Sequence, residues 1–123
     1  MNIPQELRYT NDHEWVRVEG SVAVVGITDY AQSELGEIVF VDVPSLDEEL
    51  EAGDVFGSID AVKTTSDLMI PVGGTVVEMN ADLEEHPELV NQDPYGKGWI
   101  IKVEMKESGK LLTADEYRAL IGK

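Results

Sequence analysis

The stretch VFGSIDAVKTTSDLMI, residues 55–70, carries the pattern that decides the fold. It follows the turn Ala52-Gly53-Asp54, opens with the strand-like residues 55–59, and returns to strand character at residues 68–70. The segment between these runs is polar and small, and its only basic residue is Lys63. The sequence therefore predicts a β-hairpin with Lys63 exposed at its tip.

Short strand-like runs separated by turn residues continue on both sides of this hairpin. The predicted strands are residues 14–18, 22–25, 37–43, 75–79 and 99–103, with a break at Pro71-Val72-Gly73-Gly74. Thr28 is expected to cap a helix over residues 29–35, one helical turn is expected after Pro87, and Thr113 with Glu116 has the spacing of a capping box for a C-terminal helix. These runs predict a mostly β protein with short helices, built as a small sandwich or barrel of short antiparallel strands.

Length and charge limit the classes of function. A chain of 123 residues has the size of one domain, and we expect residues 1–123 to form one. Its 9 basic and 25 acidic side chains give a net charge of −16, which repels nucleic acid and anionic membrane surfaces and favours basic partner surfaces. Residues 1–10 lack the features of a signal peptide, so the sequence predicts a cytoplasmic protein.

No residue pattern of a known catalytic centre accompanies these elements. The two histidines, His13 and His86, lie in neither a triad-like nor a metal-binding pattern, and the chain has no cysteine. We expect no metal site, and an acid-rich hydrolase using Glu14 with His13 remains the enzymatic alternative. An exposed lysine among small polar residues is a good target for an acylating enzyme, although composition alone favours an ordinary solvated lysine.

Four segments resemble the glycine cleavage system H-protein family, in the order and spacing of that family. They are NDHEWVRVEG, VAVVGITDYAQSELGEIVFVDVP, GSIDAVKTTSDLMIPVGGTVVEMN and PELVNQDPYGKGWIIKV, and together they span about residues 9–103. The resemblance implies a flattened β-barrel or sandwich, a barrel-sandwich hybrid, in which Lys63 carries lipoate through an amide. The neighbours of this lysine, Asp60, Ala61, Val62 and Thr64, would then shape the hairpin that the lipoate ligase recognises.

The same resemblance implies a carrier and not a catalyst. The arm on Lys63 would accept an aminomethyl group from a pyridoxal phosphate-dependent glycine decarboxylase and present it to the tetrahydrofolate-dependent aminomethyltransferase. Dihydrolipoamide dehydrogenase would reoxidise the arm. A surface cleft near Asp12, His13, Glu14 and Asp67 would shelter the loaded end, with Glu14 and Asp67 pairing with the amine.

The chain departs from the family pattern in two places: Val72-Gly73 replaces a pair that usually ends in Ser before Gly74, and Asp60 and Ala61 replace the usual Glu and Ser before the lysine. Slower or ligase-specific lipoylation is the expected consequence. Three alternative carriers also fit a lysine-tipped hairpin: a lipoyl domain of a 2-oxo acid dehydrogenase, a biotinyl domain, and an H-like protein that relays lipoyl groups to other enzymes. Val62 and Thr64 stand where a biotinyl domain would have methionines, which argues against the biotinyl alternative. A dehydrogenase lipoyl domain is shorter and lacks the N- and C-terminal segments, which argues against that alternative too.

Overall fold

The computed structural model describes residues 1–122, over which the chain forms nine strands and four helices. The strands are β1 (Arg8–Tyr9), β2 (Glu14–Glu19), β3 (Val22–Ile27), β4 (Ile38–Asp42), β5 (Glu49–Leu50), β6 (Val55–Ala61), β7 (Thr65–Met69), β8 (Val72–Met79) and β9 (Ile101–Ser108). The helices are α1 (Asp29–Leu35), α2 (Asp82–Glu85), α3 (Leu89–Gln92) and α4 (Ala114–Ile121). The predicted mostly β architecture with short helices and a C-terminal helix is confirmed.

The strands form two antiparallel sheets that pack on a shared core. The larger sheet has the order β1-β2-β3-β9-β8-β5, and the smaller has the order β4-β6-β7. Buried side chains from both sheets meet in one apolar cluster, in which Val25, Val76 and Val103 of the larger sheet join Ile59 and Leu68 of the smaller. This burial is what holds the lysine-bearing sheet in place.

The hairpin of β6 and β7 is tighter than the sequence pattern indicated. The N–H of Ala61 donates to the carbonyl of Thr64 at 2.7 Å, which leaves only Val62 and Lys63 as the connection. The N–H of Val62 in turn donates to the carbonyl of Glu37 at 3.0 Å. The tip is therefore tied to the chain just before β4, and Lys63 projects from an anchored turn.

Both predicted capped helices are present, and each follows from local chemistry. The side chain of Thr28 accepts from the N–H of Ala31 at the start of α1, and the capping box of Thr113 and Glu116 opens α4. Helix α4 covers the outer face of the larger sheet, where Tyr117 joins a second apolar cluster with Tyr9 and Trp15.

Several predicted boundaries were wrong. Strand β8 begins at Val72 and runs through the glycines that suggested a break. Glycine is needed at Gly74 for a different reason, because β9 lies so close that a methyl group there would overlap the carbonyl of Glu104. Strand β9 begins at Ile101, not at Trp99, and extends to Ser108. The helical turn after Pro87 is confirmed as α3, whereas α2 was not predicted. No helix among residues 1–122 has the length and apolar character needed to cross a membrane.

Candidate functional site

Lys63 is exposed at the hairpin tip, and its stem lies beside the end of α1. A methyl group added at Gly36 would lie 3.4 Å from Cε of Lys63. Within residues 1–122, the Nζ of Lys63 has neither a hydrogen bond nor an ion pair. It is also the only Lys or Arg between Arg17 and Lys97, a span with many acidic residues. The amine is therefore exposed and unpaired, and it is the only cationic side chain in a long acidic stretch of the chain.

A cleft of about 300 Å³ opens next to this tip. Helix α1, the segment before β2 and the edge strand β7 form its walls. Its polar lining includes all four of the predicted parking residues, Asp12, His13, Glu14 and Asp67. Lys63 does not line the cleft. Its stem lies beside Gly36, and Leu35, which precedes Gly36, does line the cleft. The structure thus brings the four residues together in one cleft along α1, with His13 near the start of the helix and Lys63 beside its C-terminal end.

Glu14 is the most buried ionisable group of the cleft, with 2% of its surface exposed. The hydroxyl of Thr10 donates to its Oε1 at 2.9 Å, and the N–H of Met69 approaches Oε2 at 3.4 Å. These two donors favour the carboxylate, but burial outweighs them and raises the pKa of Glu14 to about 8. At neutral pH the Glu14 carboxyl is mostly protonated, and a cation that enters the cleft would favour its ionised form.

His13 sits in a left-handed backbone conformation with φ of 68°. Its N–H donates to the carbonyl of Thr10, while the Thr10 hydroxyl accepts from the N–H groups of Asp12 and Glu14 at 3.2 and 3.3 Å. This backbone conformation is unfavourable for a non-glycine residue, and the contacts with Thr10 hold the loop in it. Burial lowers the pKa of His13, which favours a neutral imidazole.

Tyr117 of α4 connects the cleft to the rest of the fold. Its hydroxyl lies 2.8 Å from Nδ1 of His13 and 2.8 Å from Oγ1 of Thr28, the residue that caps α1. A neutral His13 that accepts at Nδ1 from this hydroxyl carries its proton on Nε2. One side chain on the C-terminal helix therefore fixes both the histidine and the wall of the cleft.

Removing this hydroxyl with Tyr117→Phe is expected to lower the free energy of unfolding by about 1–2 kcal/mol, because one buried and one partly buried hydrogen bond lose their shared partner. Urea unfolding measures this loss. The ¹⁵N chemical shifts of the His13 ring should show a mixture of tautomers in the variant and one tautomer in the parent. Unchanged ring shifts would contradict the orienting role, whatever the effect on stability.

Comparison with known proteins shows which family has this arrangement. The sequence model described as "Glycine cleavage H-protein" matches residues 7–123. The chain belongs to the glycine cleavage H-protein family. A glycine cleavage system H protein from Bacteroides fragilis is 60% identical and one from Bacteroides thetaiotaomicron is 57% identical, each alignment covering 98% of both chains. The crystal structure of a glycine cleavage system H protein from Mycobacterium marinum superposes with a TM-score of 0.92 at 39% identity, covering 98% of this chain and 100% of that one.

Membership of the H-protein family supports the role of a lipoyl carrier in the glycine cleavage system. The hairpin residues predicted for ligase recognition differ in their exposure to solvent. Val62 and Thr64 are exposed and Asp60 is half-buried, whereas the side chain of Ala61 points into the core. In this chain, Ala61 therefore acts on the hairpin through packing and not through a surface contact.

Three residues that support the site were missed in the sequence. Thr10 holds the loop of His13, Tyr117 orients His13, and Asn91 of α3 fixes the turn between α1 and β4. The Asn91 amide donates to the carbonyl of Gly36 at 2.8 Å and accepts from the N–H of Ile38 at 2.9 Å. Asn91 lies in one of the segments that resemble the H-protein family, but its partners are more than fifty residues away, so no local pattern reveals its role.

Proposed function

We propose that this chain is a single lipoyl-carrier domain, residues 1–123, and that Lys63 is its attachment residue. The observation that carries the proposal is the unpaired, exposed Nζ at the tip of an anchored two-residue hairpin connection. A lysine that no carboxylate holds is free to reach into a modifying enzyme, and the rigid hairpin fixes where the amine is found. The chain itself is a carrier, and the catalytic groups belong to its partners.

The residues of the cleft fit a lipoyl arm. Ala31 and Leu35, both half-buried on α1, supply apolar surface for a hydrocarbon chain above the buried side chains of Ile27, Ile59 and Leu68. Glu14 and Asp67 supply carboxyl groups for an amine. Lipoate supplies a dithiolane, whose disulfide accepts a one-carbon amine on opening and is restored by oxidation. Asp12, His13, Glu14 and Asp67 would hold the cationic end of the arm and keep it from water.

The partners in this proposal are those of the glycine cleavage system. Glycine decarboxylase, a pyridoxal phosphate-dependent enzyme, would load the arm. The aminomethyltransferase would unload it, and dihydrolipoamide dehydrogenase would reoxidise it. The strong negative charge of the chain favours docking to basic surfaces on these enzymes and predicts that docking weakens with salt. A cytoplasmic location stays a prediction.

The experiment that tests the attachment residue is the mass of the Lys63 peptide isolated from native cells. A lipoyl addition on Lys63 is the expected result, and biotin would give a different added mass. An unmodified lysine in cells with a working lipoate ligase would overturn the proposal.

Replacing the exposed cleft carboxylate with Asp67→Asn is expected to speed the loss of ammonia from the amine-loaded protein about two- to fivefold, because one partner of the cation is removed. Asp42→Asn is a matched control, since Asp42 and Asp67 lie on the two edge strands of the same sheet, each opposite Ser58. Ammonia release is followed in the absence of the aminomethyltransferase. Equal rates in the two variants would contradict a parking role for Asp67.

A further inference from the structure

Three apolar side chains remain exposed at the Lys63 end of the smaller sheet. Val62 is 70% exposed, Phe40 is 51% exposed and Val39 is 46% exposed. Isolated exposed apolar residues need no explanation, but these three are neighbours at the one place where a partner must approach Lys63. An exposed phenylalanine on an edge strand also invites unwanted pairing unless a partner uses it.

The strand register places one of these side chains on the same outer face as the acid that departs from the family pattern. Phe40 pairs with Asp60, so the two side chains point to the same side of the sheet. Val62 follows the buried Ala61 in the turn, where its N–H donates to the carbonyl of Glu37 just before β4 and its side chain is exposed. Phe40, Asp60 and Val62 therefore form a continuous strip that ends at Lys63.

The reach of the lysine decides which partner must contact this strip. An unmodified lysine has only a four-carbon stem, so the enzyme that acylates it has to come against the hairpin tip itself. An enzyme that meets the finished arm has no such constraint, because the longer tether extends its reach. The attaching enzyme must bring the Nζ of Lys63 into its active site, and the strip ends at this lysine.

The rim of the strip supplies charge complementarity. Glu37 lies just before β4, Asp42 at its end, and Asp60 within the strip, while Lys63 is the only basic residue of the smaller sheet and its connections. A partner seated here meets two apolar side chains with acidic groups between and beside them.

We infer that Phe40, Asp60 and Val62 form the docking strip for the enzyme that attaches lipoate to Lys63, and that this enzyme offers an apolar seat with a basic rim. The inference rests on the proposed attachment at Lys63 and adds to it a contact on β4, distant in sequence from the lysine. It also places Asp60 in the surface that the enzyme contacts, between the side chains of Phe40 and Val62.

The test measures lipoylation of the full chain by a purified lipoate ligase with lipoate and ATP, followed by intact mass at several protein concentrations. Phe40→Ser and Val62→Ser are each expected to raise KM for the chain about three- to tenfold with kcat nearly unchanged, because docking surface is lost while the reacting amine is kept. KM of the parent chain is expected to rise with ionic strength.

Val55→Ser is the matched control, because Val55 is 53% exposed on β6 at the opposite end from Lys63. It should keep the parent KM. Thermal unfolding establishes that all variants are folded. If Phe40→Ser and Val62→Ser keep the parent KM, or if Val55→Ser raises KM equally, the docking strip is wrong while the attachment site stands. If the parent chain takes up no lipoate at Lys63, the proposed function falls and the docking strip falls with it.

Discussion

Replacing Lys63 with arginine is expected to abolish lipoylation and, with it, glycine cleavage in a system reconstituted from this chain and its partner enzymes. Arginine keeps the positive charge and the exposed position at the hairpin tip, so the net charge and the fold are retained. A guanidinium stays protonated and does not provide the free amine that an acylating enzyme requires. The loss should therefore be complete and not graded.

Lys97→Arg provides the control for this variant, because Lys97 is also exposed and lies in a loop outside the hairpin. It should be lipoylated at the parent rate and should support parent activity. Intact mass measures lipoylation, and carbon dioxide release from labelled glycine measures activity. Glycine cleavage by the Lys63→Arg protein at more than background would show that the arm is attached elsewhere.

The features that the sequence predicted well are those encoded by neighbouring residues. The caps of α1 and α4 need only Thr28 or the pair Thr113 and Glu116, and both helices were found at their observed positions. The Lys63 hairpin was found because two strand-like runs flank a short polar segment. Local hydrogen bonding and alternation decide these elements, so tertiary contacts did not overturn them.

The features that the sequence did not reveal depend on distant partners. Strands β1 and β5 have two residues each and exist only because longer strands lie beside them. The glycines of β8 suggested a turn, whereas they allow close approach of β9. Tyr117 reaches His13 across 104 positions of sequence. Such long-range pairings leave no pattern among neighbouring residues. The family resemblance indicated the cleft, but it did not indicate the residues that hold the walls of the cleft in place.

The burial of Glu14 makes the stability of the protein depend on pH in a direction opposite to that of an ordinary surface acid. Folding raises the pKa of Glu14 from 4.5 to about 8, chiefly by desolvation, so the native state binds more protons than the unfolded state between these values. The free energy of unfolding contributed by this group therefore falls as pH rises through that window. Above pH 8 the native protein carries a buried carboxylate that costs stability.

Glu14→Gln removes this ionisation and is expected to stabilise the protein by about 3 kcal/mol at alkaline pH while leaving stability almost unchanged near pH 5. Glutamine keeps one acceptor oxygen, which accepts from the Thr10 hydroxyl as Oε1 does. Its amide N–H₂ group cannot accept from the N–H of Met69, so that 3.4 Å contact is lost at every pH and its cost does not vary with pH. Urea unfolding across this pH range measures the difference, with Glu84→Gln on the surface of α2 as the control for loss of one acidic group. A gain for Glu14→Gln that does not grow with pH would show that Glu14 is ionised in the folded protein at neutral pH. The cleft would then hold a permanent negative charge, and a cation would bind there without releasing the proton that a neutral Glu14 must give up.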